Sequence, residues 1–337
     1  MRPRFIMLFV LIAIILSACG AGESAATSTS IPTDTPIVPP ASTATPTVPL
    51  AVLVVPADLD PDASNLYQKT VYDLAQTSGF RFQVLNSLSP ETIEPGLQVV
   101  IALPPDPGIA ALAAAAPQVQ FLAINIPGLT ADGNISVLSG SGQSDVAAFL
   151  AGYTAALTTD DYRIGMIIPK DNPDAIRALN AFSNGMKFYC GICRPVYYSA
   201  WAYPQYVEIP AEEDHANYDA YADILILQYK VGTIYLYPDI AIPELSTYIG
   251  TTGTSMIGTI SPEERPAGWT MTIQPDIIKA IQNAWPDLAS GKGGLTVQSP
   301  LGLSDIDPSL LSPGKQRLVE QTLSELQDGL INTGVNP

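Results

Sequence analysis

The sequence predicts an α/β protein of two lobes, each a mainly parallel sheet flanked by helices. From Leu50 onward, short continuous apolar runs alternate with segments whose apolar residues recur at helical spacing. Continuous apolar runs between helices are typical of parallel strands that are buried on both faces. The alternation continues to the end of the 337-residue chain, which is longer than one sheet usually requires.

The first part of the alternation begins with an apolar strand at residues 50–56 and a helix at 62–79. In that helix Tyr67, Val71 and Leu74 share one face, which predicts that this face is buried. Further elements follow in the same alternating order. They are strands at 80–85, 99–103 and 119–124 and an alanine-rich helix at 109–116.

The second part begins with a helix at 145–157 and a strand at 164–168. The next helix carries apolar residues at Ile176, Leu179, Phe182 and Met186. The remaining elements are helices at 218–229, 275–285 and 313–331 and strands at 233–237 and 255–260. Pro286 is expected to end the helix before it, since proline lacks the N–H that the helix needs. Parallel strands joined by right-handed crossovers follow from this order.

The composition excludes several classes of function. The chain has 15 basic and 32 acidic residues, a formal net charge of −17, which argues against a nucleic-acid partner because phosphate requires a basic surface. Three cysteines and one histidine leave little for a zinc site, and no metal or other cofactor is expected. A catalytic triad would have to use His215, so an enzyme is not expected.

The N-terminus predicts export. Residues 1–18 combine a basic start with an apolar run that is short for a membrane span, as in a secretory signal. The run ends in Leu16-Ser17-Ala18-Cys19, which resembles a bacterial lipobox, in which cleavage leaves a lipid-modified Cys19. The alternative is an ordinary signal peptide with an incidental cysteine. The prediction is a protein that is lipid-anchored on the extracytoplasmic face of the cell membrane.

Residues 19–49 are expected to form a linker between the lipid anchor and the folded part. In residues 20–49, 17 of 30 are Ser, Thr or Pro, and no apolar periodicity is present. Such a segment buries too little surface to offset the entropy of ordering it.

Several strings, in the same order along the chain, resemble the basic membrane lipoproteins, a family of purine-nucleoside-receptor-like binding proteins for ABC transporters. The first is Phe149-Leu150-Ala151-Gly152 in a helix that leads to a strand starting Arg163-Ile164-Gly165. The second is Phe182-Ser183-Asn184-Gly185, similar to the aromatic-x-x-Gly helix of the family. The last are Ser290-Gly291-Lys292-Gly293-Gly294, Gly302-Leu303 and the closing helix from Leu323.

The resemblance implies a type I periplasmic-binding-protein fold, in which two lobes joined by three hinge segments close on a ligand. The lobes would be residues 50–157 with 261–295, and 158–260 with 296–337. Open α/β sheets bind ligands at the carboxyl ends of their strands. The loops after the strands are therefore the expected ligand site.

The loop after the first strand supplies candidate ligand contacts at Asp58, Asp60, Asn65 and Tyr67. The carboxylates and the amide could accept hydrogen bonds from sugar hydroxyls or base nitrogens while the ring stacks. Alternatively, acidic residues here cap the following helix. Nucleoside binders of the family carry Ser-Phe-Asn-Gln here, whereas this chain has Asn65-Leu66-Tyr67-Gln68 and lacks the stacking phenylalanine.

A second departure from the family follows the strand at 255–260. Where nucleoside binders have an acidic residue that holds the ribose, this chain has Thr259-Ile260-Ser261-Pro262, and Trp269-Thr270-Met271-Thr272 replaces a later lysine element. The rings of Trp201 and Tyr203 could replace the missing ligand contacts by stacking on the ligand if they face the cleft. Alternatively, aromatic residues that alternate in this way belong to a half-buried strand. Asn125 and Asp239 follow strands and are further candidates.

Cys190 and Cys193 have the spacing of a redox motif but follow a helix instead of starting one. In an exported protein a local disulfide is the favoured interpretation, and a reduced pair is the alternative. His215 lies in an acidic turn and is expected to be solvated.

The sequence therefore favours a lipid-anchored solute-binding protein that captures a small molecule, with nucleosides among the candidates, and delivers it to the permease of an ABC importer. The alternative is a degenerate binding module that acts as a surface sensor or binds a partner without transport. Loss of the ligand residues of the family favours this alternative more than a complete motif would.

Overall fold

The computed structural model describes residues 47–140, 143–194 and 200–336, which form two six-stranded sheets covered by helices. The predicted signal peptide, Cys19 and nearly all of the predicted linker lie outside the described residues. None of the described helices is long and apolar enough to cross a membrane.

The first sheet has the strand order β11-β5-β4-β3-β1-β2, and all its neighbours are parallel. Its strands are β1 (Leu50–Val54), β2 (Arg81–Leu85), β3 (Leu97–Ala102), β4 (Gln120–Ile124), β5 (Ile135–Ser139) and β11 (Thr296–Gln298). Its helices are α1 (Pro61–Thr77), α2 (Ile109–Ala115) and α7 (Ile277–Ala289). Alternate residues of β1 and β3 pack against α1 and α7 on one face and against α2 on the other, which explains their continuous apolar sequence.

The second sheet has the order β12-β10-β9-β8-β6-β7, and β12 is antiparallel to β10. Its strands are β6 (Ile164–Pro169), β7 (Gln205–Ile209), β8 (Thr233–Leu236), β9 (Ser255–Gly258), β10 (Trp269–Pro275) and β12 (Leu301–Ser304). Its helices are α3 (Ser144–Thr158), α4 (Pro173–Cys190), α5 (Tyr218–Asp223), α6 (Pro243–Thr251) and α8 (Pro313–Gln327). One large hydrophobic core joins these helices to the sheet.

The chain passes between the sheets three times, after β5, after β10 and between β11 and β12. Two mainly parallel six-stranded sheets with three such crossings confirm the predicted two-lobed type I periplasmic-binding-protein architecture. The sheets divide the chain at different points from those expected, which were residues 157, 261 and 295. The helix α3 belongs to the core of the second lobe, β10 is a second-sheet strand, and β11 still belongs to the first sheet.

The helices α3 and α4 pack unusually closely because each contributes a glycine to the contact. A Cβ on Gly152 would overlap the backbone carbonyl of Phe182, and a Cβ on Gly185 would overlap that of Phe149. The contact is therefore reciprocal, with a glycine of each helix opposite a phenylalanine of the other. Two of the strings that resemble the lipoprotein family thus meet in one helix–helix interface.

The expected end of one helix is wrong. Pro286 lies inside α7, which continues to Ala289. The buried side chains of Trp285 and Leu288 hold this last turn against the first-lobe core, and a proline there costs only one helical hydrogen bond. The helix expected at 218–229 is present as two consecutive segments, the α-helix α5 up to Asp223 and a π-helical turn over Ile224–Gln228.

Candidate functional site

The candidate site lies where the carboxyl ends of both sheets meet the three crossing segments. The strands β5 and β10 lead directly into crossings, and the other strands run parallel to them, except for the antiparallel β12. Loops after the parallel strands of both lobes therefore face the same region. This is the position at which open α/β sheets bind ligands.

Hydrogen bonds join two of the crossing segments to each other and the remaining one to the first lobe. The N–H of Asp276 donates to the carbonyl of Pro300 at 2.7 Å, which links the second crossing to the third. Asn125, an expected ligand contact, has a left-handed φ of 50° and its Oδ1 accepts from the N–H of Gly140 at 3.2 Å. Asn125 also lines a cavity of about 410 Å³ beside this crossing. It therefore anchors the first crossing to the end of β4.

Three polar side chains from successive first-sheet strands line a cavity of about 320 Å³. Asp58 follows β1, Asn86 follows β2, and Asp106 follows β3. Asp106 is partly engaged, since its Oδ1 accepts hydrogen bonds from the N–H groups of Gly108 and Ile109 at the start of α2, both at 2.9 Å. Asp58 accepts no hydrogen bond within the described chain, so its carboxylate is available to a ligand.

An adjoining cavity of about 290 Å³ shares Asn86 and is also lined by Asn65 and Gln68 of α1. Of the four candidates near the first strand, Asp58 and Asn65 therefore line first-lobe cavities. The sequence analysis did not single out Asn86 or Asp106. A polar residue in the loop after each strand was the signal that could have identified them.

Asp60 and Tyr67 have structural roles in the described chain. The Oδ1 of Asp60 accepts from the N–H groups of Asp62 at 3.0 Å and Ala63 at 2.9 Å, so Asp60 is the N-cap of α1. Tyr67 packs against the first-lobe core, and burial raises the pKa of its phenol. Asp60 therefore has the capping role that was the alternative to ligand binding, and neither Asp60 nor Tyr67 lines the two first-lobe cavities.

The second lobe contributes a cavity of about 640 Å³ at the carboxyl ends of β8 and β9. One side is the start of α6, with Ile242 and Pro243, and the opposite side is the loop between β9 and β10, which we call the wall loop (residues 259–268). Trp269, at the start of β10, lines the cavity from below and is only 2% exposed. The full lining is Leu236, Ala241, Ile242, Pro243, Ser246, Thr247, Ile260, Ser261, Pro262, Glu263, Glu264 and Trp269.

A carboxylate that the sequence analysis missed lies next to this cavity. The Oδ2 of Asp305, just after β12, accepts hydrogen bonds from the hydroxyls of Ser261 at 2.7 Å, Thr272 at 2.6 Å and Ser304 at 3.2 Å. The indole Nε1 of Trp269 donates to Thr272 Oγ1 at 3.1 Å. The resulting network, which we call the Asp305 network, joins the wall loop, β10 and β12.

The network also affects the titration of its central carboxylate. Burial alone would raise the pKa of Asp305, but the hydrogen bonds from the three hydroxyls and the charge of Arg265 outweigh burial and lower it below its ordinary value. Asp305 is therefore ionised at neutral pH. It supplies a carboxylate near the wall loop, where the acidic residue expected from the resemblance to nucleoside binders is missing.

Asp239 lies exposed after β8, at the ligand-facing edge of the second sheet. It accepts a hydrogen bond from Asn172 Nδ2 at 3.4 Å, and Asn172 is the N-cap of α4. Asp239 therefore stays a candidate contact on the second-lobe side.

Trp201 and Tyr203 were expected at the carboxyl-terminal edge of the second sheet, which faces the cleft, but they lie at its amino-terminal edge. Both precede β7, whose carboxyl end faces the cleft. The ring of Trp201 packs edge-on against Tyr229 with centroids 5.0 Å apart, and the hydroxyl of Tyr203 donates to the Tyr229 carbonyl at 2.6 Å. Tyr229 precedes β8, so all three residues belong to the amino-terminal edge. Their expected role as cleft contacts is corrected for this reason.

Cys190 and Cys193 form a disulfide in the structure, with their Cα atoms 5.3 Å apart. The pair closes the end of α4, away from the ligand-facing edge. His215 packs against the ring of Tyr218, with centroids 5.0 Å apart. Within the described ranges, no group of His, Cys, Asp and Glu side chains has the arrangement of a metal site.

No family model matches the chain, and no curated protein sequence matches it. Its fold is similar to that of an ABC transporter solute-binding protein from Aeropyrum pernix, at 15% identity and a TM-score of 0.44, over 86% of this chain and 94% of that one. It is similar to a periplasmic ribose ABC transporter protein from Conexibacter woesei, with 15% identity and a TM-score of 0.47. The match covers 81% of this chain and 94% of that one. It is also similar to a transcriptional activator of the comK gene from Bacillus halodurans, with 15% identity and a TM-score of 0.49. This match covers 83% of this chain and 98% of that one.

Proposed function

We propose that this protein is an extracytoplasmic, lipid-anchored solute-binding protein that captures a small molecule between its lobes and delivers it to an ABC importer. One observation carries the proposal. Cavities lined by residues from the carboxyl ends of both sheets lie on either side of three crossing segments, of which the second and third are hydrogen-bonded to each other. Lobes joined only through such segments can close on a ligand that contacts both.

The charges around the cavities favour an uncharged or cationic ligand. The residues that line the four described cavities include Asp58, Asp106, Glu263 and Glu264, and none is Lys, Arg or His. Phosphate and carboxylate ligands are recognised through cationic side chains, which these linings do not provide. Nucleosides are uncharged, and their sugar hydroxyls suit Asp58, Asn65 and Asn86. They are our first candidates.

The anchor and the delivery step belong to the same proposal. The lipobox-like end of the signal sequence supports lipid attachment at Cys19, and the Ser/Thr/Pro-rich segment after it would hold the domain away from the membrane. Labelled palmitate should enter the wild-type protein in bacterial cells and should not enter the Cys19→Ala variant. Equal labelling of both proteins would contradict the anchor.

The binding role is tested with the detergent-purified protein against a panel of nucleosides, nucleobases, sugars and amino acids. Calorimetry gives affinity, and fluorescence energy transfer between dyes at Asp73→Cys and Glu212→Cys, one in each lobe, reports closure. A ligand should raise both the melting temperature and the transfer efficiency, because it binds only the folded protein and stabilises the closed form.

Two results would change the proposal. A folded protein that binds nothing in the panel would remove the solute-binding role and favour the alternative of a partner-binding surface module. Binding without any change in transfer efficiency would contradict lobe closure.

A further inference from the structure

We propose that the second-lobe cavity is the subsite for an uncharged ring system of the ligand, and that the Asp305 network holds its wall in place. The inference rests on the proposed function and narrows its ligand class. The cavity volume of about 640 Å³ lies within the range of about 300–1,000 Å³ that is typical of small-molecule sites.

The surface of this cavity is mainly apolar even where polar residues line it. The hydroxyl of Ser246 is already engaged, because it donates to the carbonyl of Pro243 at 2.9 Å. The hydroxyl of Ser261 is engaged as a donor to Asp305. Seven of the twelve lining residues are apolar, among them Leu236, Ile242 and Trp269. A ligand group with few hydrogen-bonding atoms therefore fits this surface best.

Ile260 provides an independent indication that an apolar group binds here. It lies in the wall loop, lines the cavity and is 53% exposed. A branched aliphatic side chain at the mouth of a cavity gains free energy when an apolar group covers it. Ile260 therefore offers an apolar contact to a ligand in this cavity.

The wall of the cavity is fixed before any ligand arrives. Ser261 is tied to Asp305, and Arg265 in the same loop is close enough to lower the pKa of that carboxyl. The ring of Trp269 lies over Gly258, where a Cβ would overlap it, and its Nε1 is held by Thr272. Asp305 is thus a positioning residue that acts on the cavity through Ser261 and Thr272. A preformed wall lowers the entropic cost of binding.

The rim of the cavity disfavours negatively charged groups. Glu263 and Glu264 lie in the wall loop and line the cavity, and no described residue donates a hydrogen bond to their carboxylates. A carboxylate or phosphate carried by the ring would be repelled at this rim. The subsite should therefore distinguish a neutral ring from the same ring bearing an anionic group.

The test uses indole as the neutral probe and indole-3-acetate as its anionic counterpart, with the ¹⁵N-labelled protein observed by NMR. Indole should shift the indole N–H signal of Trp269, assigned by substitution, and leave that of Trp285 unchanged. Ile260→Glu should weaken indole binding about tenfold, because it replaces an apolar contact by a charge. Leu318→Glu is the matched control, since Leu318 is 45% exposed on α8 and does not line the cavity.

The positioning role of Asp305 has its own readout. Asp305→Asn keeps the shape of the side chain but weakens its hydrogen bonds, so the Trp269 N–H signal should move without ligand and indole should bind several-fold more weakly. Ser304→Ala removes the longest bond to the carboxylate, together with the contacts of the Ser304 hydroxyl with Gln274 and Ser261, and keeps the two shorter bonds to Asp305. It should have a smaller effect on both readouts.

The outcomes separate this inference from the proposed function. A panel ligand that closes the lobes, combined with unchanged indole affinity in Ile260→Glu, would overturn the subsite and leave the solute-binding role standing. Equal affinity for indole and indole-3-acetate would also overturn it. Binding of indole at Ile260 by a protein that binds no panel ligand would support the subsite and contradict the transport role.

Discussion

Acidic residues near the ligand-facing edge perform different tasks that their residue type does not distinguish. Asp60 and Asp276 use a carboxylate oxygen to cap α1 and α7, the latter by accepting from the N–H of Lys279 at 2.9 Å. Asp305 instead gathers three hydroxyls. Asp58 accepts no bond within the described chain and lines a cavity. Of these four residues, only Asp58 has a carboxylate that accepts no hydrogen bond from the described chain.

The cap at Asp60 leads to the first prediction. Asp60→Ala should lower the free energy of unfolding by about 1 kcal/mol, the usual cost of losing a helix N-cap, and should leave ligand affinity unchanged. Urea unfolding and calorimetry measure the two quantities. Asp73→Ala is the control on the same helix, where an exposed pair with Lys69 is worth about 0.3–0.5 kcal/mol. A marked loss of affinity in Asp60→Ala would restore its role as a ligand contact.

The pH dependence of stability gives the second prediction. Because the folded-state pKa of Asp305 is lowered, its contribution to stability is present above its unfolded pKa of about 3.9 and is lost as pH falls through the folded value. The stability difference between wild type and Asp305→Asn should therefore be largest near pH 7 and shrink below about pH 4.

Urea unfolding between pH 3 and pH 7 measures this difference. Asp171→Asn is the matched control, since both aspartates have a left-handed φ, 56° at Asp171 and 51° at Asp305, and asparagine is tolerated in that conformation. A difference that stays constant over the whole range would contradict an ionised Asp305 network.

At the scale of elements, the packing of α3 on α4 is the contact most sensitive to a single added carbon. Gly152→Ala should destabilise the protein by at least about 1–3 kcal/mol, because the new Cβ overlaps the backbone of α4 rather than a movable side chain. Gly314→Ala in α8 meets no atom within 4 Å and should be neutral or stabilising by up to about 1 kcal/mol. Thermal and urea unfolding compare the two variants. Equal effects would contradict the close packing of α3 on α4.

Predictability from the sequence differed between elements for physical reasons. The strands β1, β3 and β4 are buried on both faces, so their continuous apolar runs identified them. The strands β11 and β12 have three and four residues, too few for a periodic pattern, and their sheet partners are distant in sequence. The expected lobe boundaries depended on those strands and on α3, which is why they differ from the sheets.

The candidate site was less predictable than the fold. Positions directly after apolar strands could be identified, which is how Asp58 and Asn125 were found. Trp201 was misplaced because the strand it adjoins begins after it, at Gln205, and the sequence did not show which end of that strand faces the cleft. Asp305 lies beside the cavity because it follows the antiparallel strand β12, which no sequence pattern indicated.

At the scale of the whole molecule, net charge should act on ligand choice. The chain carries 32 acidic and 15 basic residues, so an anion approaching the cleft meets a negative field. The nucleoside that binds best should therefore bind at least about tenfold more tightly than its 5′-monophosphate at low salt. The ratio should fall as salt is raised, because the screening length shortens from about 30 Å at 0.01 M to about 8 Å at 0.15 M.

Calorimetry at the two salt concentrations measures this ratio, and the neutral nucleoside is its own control, since salt should change its affinity little. Tighter binding of the monophosphate would show that cationic side chains outside the described linings recognise the ligand.

The crossing between β11 and β12 also bears on how the protein is completed during synthesis. These strands follow each other directly in the chain, yet each forms an edge of a different sheet. Until residues 296–304 emerge, β5 and β10 both present open edges, which are templates for pairing with other chains. Both sheets are therefore completed by this one short stretch of the chain, and a chain that stops near Leu295 would leave an open sheet edge on each lobe.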